Sequence, residues 1–180
     1  MILGLAFSTA GCWPKHDWRD FRPDCKTMWC GFVATFPAHV QSTSREILLD
    51  GALRRLTLHV ARVGATSFAI GVVDLPPGED DAAHAQTTRA ALQRALLANI
   101  DATTSPERAI TLTGADKSAI PATAIEASGR RSEHPLHLVA RFALRKGHLV
   151  EVVVIGASDA LARPAGQEAL DTFFTSLRLD

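Results

Sequence analysis

Two short segments contain residue types that serve catalysis in other proteins. Gly156–Ala160 (GASDA) resembles the Gly-x-Ser-x-Gly turn that presents a nucleophilic serine, but it lacks the second glycine. Thr113–Ser118 (TGADKS) ends in Lys-Ser like a phosphate-binding loop, yet it lacks the two glycines that the backbone of such a loop requires. Neither segment predicts a catalytic residue, and we therefore expect that the protein is not an enzyme.

Side chains that bind metals are concentrated in two places. His134 and His137 have the spacing of two ligands on a helix, but they precede a predicted strand, where we expect an exposed loop. The other group lies near the N-terminus and matches no known zinc spacing; its members are His16, Asp17, Asp20, Asp24, Cys25 and Cys30. The sequence therefore predicts neither a metal site nor a cofactor.

The first of the three cysteines follows a short, uncharged apolar segment. Residues 1–11 have the length of the apolar part of a signal peptide, and Thr9-Ala10-Gly11-Cys12 resembles the lipobox of bacterial lipoproteins. Leucine is usual at the position of Thr9. No lysine or arginine precedes the apolar segment, so we expect a signal peptide whose true start lies upstream. We predict that Cys12 carries lipid. The alternative is a buried first strand with an unmodified cysteine.

Residues 12–30 are expected to form a tether between this anchor and the folded domain. The segment contains all three tryptophans, which we expect to pack on the domain, and its prolines discourage regular structure. Disulfides persist outside the cytoplasm, so we predict that Cys25 and Cys30 are bridged; two unrelated buried thiols are the alternative. Trp13, not aspartate, follows Cys12, which in a Gram-negative cell indicates delivery to the outer membrane.

The overall composition favours one folded domain and excludes several classes of protein. The chain has 180 residues, of which 47% are hydrophobic and 21% charged, and this argues against bulk disorder. Its 19 basic residues are balanced by 19 acidic ones, which argues against nucleic acid as the main partner. No apolar stretch reaches the roughly 18 residues that a membrane-spanning helix needs.

Six arginines fall in segments that neighbour one another in the predicted sheet. Together they would form a basic surface for anionic lipid or an acidic partner. The alternative is a scattered set, each solvated or balanced by a nearby acid. These residues are Arg54, Arg55, Arg130, Arg131, Arg141 and Arg145.

The apolar pattern of the first half predicts a short strand, a three-stranded meander and a helix. Gly31–Phe36 is rich in residues that favour strands, and Asp50-Gly51 supplies a two-residue turn between strands at 47–49 and 53–63. The third strand of the meander covers 67–75. Apolar residues at spacings of three and four then predict a helix from about 82 to 99.

The second half predicts the rest of the sheet and a final helix. Strands at 110–112 and 123–127 precede a long hairpin, 136–144 and 149–155, whose three successive valines indicate a strand buried on both faces and hence central. Pro164 begins the last helix. About seven strands and two substantial helices give an α+β fold with a central antiparallel β-sheet flanked by helices.

Several of these segments resemble PsbP-like domains. Phe32–Pro37 (FVATFP) is similar to the family's F-x-x-x-F-P opening, and Phe173–Leu179 (FFTSLRL) to its F-F-x-S-F-x-L ending, with Leu177 in place of phenylalanine. The resemblance covers residues 31–180 as an order of elements and implies an α/β/α sandwich. DcrB-like bacterial lipoproteins and chaperone domains of secretion systems share this fold; such proteins are mostly binding proteins, and they supply no catalytic motif.

The sequence as a whole predicts a lipid-anchored cell-envelope protein that acts as a non-catalytic binding or assembly module. We expect attachment to the membrane through lipid on Cys12, facing the periplasm from the outer membrane, and an unidentified protein partner. The alternative is a cytoplasmic adaptor or secretion chaperone of the same fold without lipid.

Overall fold

The computed structural model describes residues 16–26, 29–76, 78, 82–102 and 106–180. Strands and short connections account for most of these residues. In chain order the elements are β1 (Arg19–Phe21), β2 (Phe32–Phe36), β3 (Gln41–Leu49), β4 (Ala52–Val63), β5 (Thr66–Asp74), α1 (Ala82–Ala98), β6 (Glu107–Thr113), β7 (Ala119–Arg131), β8 (His134–Arg145), β9 (His148–Ala157), α2 (Ser158–Ala162), α3 (Pro164–Ser176) and β10 (Arg178–Leu179).

The strands form two antiparallel sheets. The larger sheet has seven strands in the order β3-β4-β5-β9-β8-β7-β6, and the smaller one has the order β1-β2-β10. A mixed α+β fold built mostly on antiparallel sheet is thus confirmed. No helix in the part of the chain that the structure describes has the length and apolar character needed to cross a membrane.

Two-residue turns fix the hairpins of the large sheet. Asp50 and Gly51 have φ angles of 50° and 77°, and Lys146 and Gly147 have φ angles of 48° and 75°. Positive φ at both central residues is what a tight hairpin turn requires, because its twist then matches that of the strands. The predicted meander and the predicted long hairpin are both confirmed, with β3–β4–β5 and β8–β9 as neighbours.

β9 is the central strand of the large sheet and divides its core into two clusters. Val150, Val152 and Val154 belong to one apolar cluster, together with residues of α3 and β2. Leu149 and Val153 belong to the other cluster, together with residues of α1. Successive side chains of a strand point to opposite faces, so the clusters lie on opposite faces of the sheet. We call these faces the α3 face and the α1 face.

The sheet is more extensive than the apolar pattern predicted. β7 spans thirteen residues, where the sequence indicated a strand only at 123–127. Pro121 concealed its beginning, because proline removes a ladder donor and is rare inside strands. The structure accommodates Pro121 because β7 has a neighbouring strand on one side only at this position. Pro121 pairs with Thr111 of β6, and the pairing with β8 begins only at Ala122. The short helix α2 was also not predicted.

The segment before β2 is part of the fold, and the expectation that residues 12–30 lack regular structure is wrong at β1. β1 pairs with β2, from Arg19 opposite Phe36 to Phe21 opposite Ala34. Apolar contact explains this: Phe21 and two tryptophans pack on the α3-face cluster. Packing of tryptophan on the domain is confirmed for Trp18 and Trp29. Residues 1–15, with Cys12 and Trp13, lie outside the described residues.

Candidate functional site

A groove of 760 Å³ runs beside the edge strand β3. Its volume falls within the range of about 300–1,000 Å³ that is typical of ligand sites. Leu58 and Val60 of β4 provide its apolar floor. The remaining lining residues come from β3, the loop before it and the end of β4; they are Ala38, His39, Gln41, Ser42, Thr43 and Arg62.

The groove exists because α1 covers only part of its face of the sheet. Leu56, Leu58 and Val60 point to the same face, since they alternate along β4. Leu56 is buried within the cluster beneath α1, whereas Leu58 and Val60 are only half-buried. None of the α1 side chains that the structure describes lines the groove. The uncovered part of the α1 face is thus an open apolar surface next to an edge strand.

Cationic side chains stand at the rim of this groove. Arg62 is exposed, and among the described residues it makes neither an ion pair nor a side-chain hydrogen bond. The same is true of Arg45, which follows Thr43 on the same face of β3. His39 is exposed beside Arg62. This arrangement favours an acidic ligand over a basic one.

A buried carboxylate lies on the α1 face, two strands inward from the groove floor. Leu58 pairs with Gly71 of β5, which in turn pairs with Glu151 of β9. Glu151 is 4% exposed, and its Oε2 atom has no hydrogen-bond partner within the described part of the chain. A Cβ at Gly71 would overlap the side chain of Glu151, which would have to move to make room for it. Burial raises the pKa of Glu151 to about 7.

A second buried titratable group lies on the opposite face. His59 is fully buried between the rings of Phe21 and Phe32, with ring centroids 5.1 and 5.4 Å away. Its Nδ1 atom is 2.8 Å from the hydroxyl of Ser42, and no described residue forms a hydrogen bond with its Nε2 atom. Burial lowers the pKa of His59 to about 4, so the ring is neutral at pH 7. This imidazole is a core residue that helps to hold β3.

Cys25 and Cys30 are joined by a disulfide, with Cα atoms 4.9 Å apart. This separation falls within the usual range for bridged cysteines. Trp29, next to Cys30, stacks on His148 of the large sheet with ring centroids 4.7 Å apart. The bridge therefore closes a small loop that the adjacent tryptophan fixes to the domain.

A Cys25→Ser/Cys30→Ser double variant is expected to lose about 2 kcal/mol of unfolding free energy, since the bridge constrains a short loop in the unfolded chain. Urea unfolding under non-reducing conditions measures this loss. Reductant should destabilise the natural chain by the same amount and leave the variant unchanged. Alkylation of both thiols without reductant, in protein isolated from its native compartment, would refute the bridge.

The six arginines predicted to form one basic surface do not all point to the same face of the sheet. Arg54 and Arg55 are consecutive in β4 and therefore point to opposite faces of the sheet. Arg54 is buried beside the α1 cluster, whereas Arg55 is exposed opposite Glu46. The prediction of a shared patch is thus wrong for this pair, because consecutive side chains of a strand point to opposite faces.

The other four predicted arginines are engaged locally. Arg141 lies over the ring of Phe174, 4.2 Å from its centroid. Arg145 donates a hydrogen bond of 2.9 Å to the carbonyl of Asp180. The remaining two lie near the end of α1: Arg130 faces the carboxylate of Asp101 at 3.6 Å, and Arg131 donates to the carbonyl of Asn99 at 3.3 Å. Each of these four arginines thus makes its own local contact: one with a ring, two with carbonyls and one with a carboxylate.

The motif-like segments have ordinary structural roles. Thr113–Ser118 closes β6 with a turn in which Asp116 accepts a hydrogen bond from the Ser118 amide. His134 and His137 lie within β8 and not in a loop, and their odd spacing places them on opposite faces. Among the residues that the structure describes, no group of three His, Cys, Asp or Glu side chains is arranged to hold a metal ion.

Comparison with protein-family models and with curated proteins gives no match for this chain. The groove and Glu151 were both missed by sequence reasoning. Glu151 did leave a signal, because it is the one charged residue in the apolar run Leu149–Ile155. A charge at a position predicted to be buried on a central strand is a reason to expect a perturbed group.

Proposed function

We propose that this chain is a lipid-anchored, non-catalytic binding module of the bacterial cell envelope, attached through Cys12 and facing the periplasm from the outer membrane. The disulfide between Cys25 and Cys30 carries the proposal. Disulfides persist in the periplasm, whereas the cytoplasm keeps thiols reduced. The lipobox-like residues before Cys12 are consistent with the same compartment.

The binding role is supported by the groove beside β3. Its lining combines an apolar floor with Gln41, Thr43 and Arg62, side chains that bind a partner without reacting with it. The packing of α1 and α3 against opposite faces supports an α/β/α sandwich of the PsbP-like kind. Proteins that resemble this architecture are mostly binding proteins.

Mass spectrometry of the protein purified from its native membranes tests the anchor. We expect a mature chain that begins at Cys12 and carries a diacylglyceryl group. A Cys12→Ser variant should move from the membrane fraction to the soluble periplasmic fraction. The Cys25→Ser/Cys30→Ser double variant is the matched control, and it should keep the lipid and remain with the membranes.

An intact, unmodified Met1 would contradict the anchor and favour the cytoplasmic adaptor or secretion chaperone. Continued fractionation of Cys12→Ser with membranes would also count against attachment through lipid.

A further inference from the structure

β3 is an edge strand of the seven-stranded sheet. β3 pairs with β4 over its whole length, and no other backbone pairs with it among the described residues. The opposite edge of the sheet is different, because an isolated bridge joins Gly114, directly after β6, to Leu179 of β10. An unblocked edge presents a row of backbone donors and acceptors that can pair with another strand.

β3 is also regularly paired along its length. Its register with β4 runs without a bulge from Gln41 opposite Val60 to Leu49 opposite Ala52. The Ser44 hydroxyl lies 2.7 Å from that of Thr57, in addition to the bond between Ser42 and His59. The strand contains no proline and no lysine, and its two exposed charges, Arg45 and Glu46, point to opposite faces of the sheet. A partner strand would therefore meet a preorganised template.

The side chains around this edge define the chemistry of a partner. On the α1 face, Arg45 of β3 and Arg62 of β4 are cations without an ion-pair partner in the described structure. Arg62 lies two residues beyond Val60, the last β4 residue that pairs with β3. On the α3 face, Leu48 and Leu53 pair with each other and are 69% and 68% exposed. These are the two large hydrophobic side chains most exposed to solvent among the described residues. An acidic side chain suits the first face and an apolar one the second.

We propose that β3 binds an extended segment of a partner protein by strand addition. Acidic side chains of that segment face Arg45 and Arg62, and an apolar side chain packs against Leu48. Main-chain hydrogen bonds supply affinity, and the alternating side chains supply selectivity. The inference rests on the binding role proposed above and not on lipidation.

Synthetic peptides of nine residues test the proposal on the whole chain in solution. The probe alternates glutamate and valine, so that a strand places all carboxylates on one face. A second peptide replaces each glutamate by lysine. A third carries N-methyl groups on every second residue, which remove the backbone donors along one edge of the peptide strand, and it is made in two versions, one for each edge. Fluorescence anisotropy measures the affinities, and amide hydrogen exchange locates the binding site.

We expect the acidic peptide to bind and the lysine peptide to bind at least about tenfold more weakly. One of the two N-methylated versions should not bind. An Arg45→Gln/Arg62→Gln variant should weaken binding by about three- to tenfold, as expected for two exposed charge pairs. Arg55→Gln, which removes an exposed charge on the opposite face, is the matched control and should leave the affinity unchanged. Exchange protection should appear at 41–49.

Equal affinity of the acidic and basic peptides, or no binding at millimolar concentration, would overturn the proposal. So would protection confined to β6. Protection of 41–49 that grows with protein concentration alone, with a dimer in analytical ultracentrifugation, would identify a second copy as the occupant and also overturn it. None of these results changes the membrane fractionation of Cys12→Ser. Strand addition to β3 and the lipid anchor can therefore each be refuted without the other.

Discussion

Replacement of Glu151 by glutamine is expected to raise the unfolding free energy at pH 8 by about 2 to 3 kcal/mol. The carboxyl is fully buried, and its pKa rises from 4.5 to about 7 in the folded chain. At about 1.4 kcal/mol per pH unit, this interval represents about 3 kcal/mol of destabilisation once the group is ionised. Glutamine removes the buried charge and retains its own desolvation cost of about 1 kcal/mol.

The same residue sets a pH dependence with a definite sign. Between pH 4.5 and about 7, Glu151 is protonated in the folded chain and ionised in the unfolded one, so its contribution to stability is lost as the pH rises. His59 acts in the opposite sense. Between pH 6.5 and about 4 it is neutral when folded and protonated when unfolded, so its contribution is lost as the pH falls. The contributions of Glu151 and His59 to the pH dependence of the unfolding free energy therefore cancel between about pH 4.5 and 6.5 in the natural chain.

Urea unfolding at intervals from pH 4 to 8 measures these effects as differences from the natural chain. Glu151→Gln should gain stability progressively from pH 4.5 to about 7, and His59→Gln should show the mirror-image profile below pH 6.5. Glu133→Gln, which changes an exposed glutamate, should stay within about 0.5 kcal/mol at every pH. A Glu151→Gln profile parallel to that of the natural chain would show that this carboxyl is not the source of the slope.

Gly129→Ala is expected to destabilise the protein by at least about 3 kcal/mol. A Cβ at Gly129 of β7 would overlap the carbonyl oxygen of Ile100, which is backbone and has no alternative rotamer. That carbonyl also accepts the hydrogen bond from the amide of Arg130. The substitution therefore forces apart the end of α1 and the strand on which it rests.

The matched control for Gly129→Ala is Gly51→Ala. Gly51 has a φ angle of 77° but no atom within 4 Å of a built Cβ, so only the backbone strain of about 1 kcal/mol applies. Thermal or urea unfolding of the two variants separates steric overlap from backbone strain. Equal losses for both would show that the contact with Ile100 is not what requires glycine at 129.

The parts of the fold that the sequence predicted are those in which local and apolar signals agree. The Asp50-Gly51 turn specifies its hairpin through positive φ alone, and the valines of β9 identify the central strand because both of its faces are buried. β7 was underestimated because its alanines, Pro121 and Gly129 favour strands weakly. Its position between β6 and β8 comes from pairing over long sequence distances, which local patterns do not report.

The candidate site was harder to predict, for a physical reason. The groove lies where the sheet extends beyond α1. No residue type in the sequence indicates that a helix is absent above a strand. β3 begins with Gln41-Ser42-Thr43-Ser44, a polar run that the apolar pattern did not assign to a strand. The hydroxyls of Ser42 and Ser44 instead contact His59 and Thr57 of β4. These partners can be identified only once the pairing of β3 with β4 is known.

The small sheet gathers the first and last described segments of the chain on one strand. β1 and β10 both pair with β2, and the amide of Asp180 donates a 2.7 Å hydrogen bond to Gly31. The side chains of Arg22 and Asp180 face each other at 3.5 Å. A pulling force applied between the two ends would therefore load β1, β2 and β10 first. The bridge between Leu179 and Gly114 would pass part of this load to the β6 edge of the large sheet, whereas β3 lies at the opposite edge.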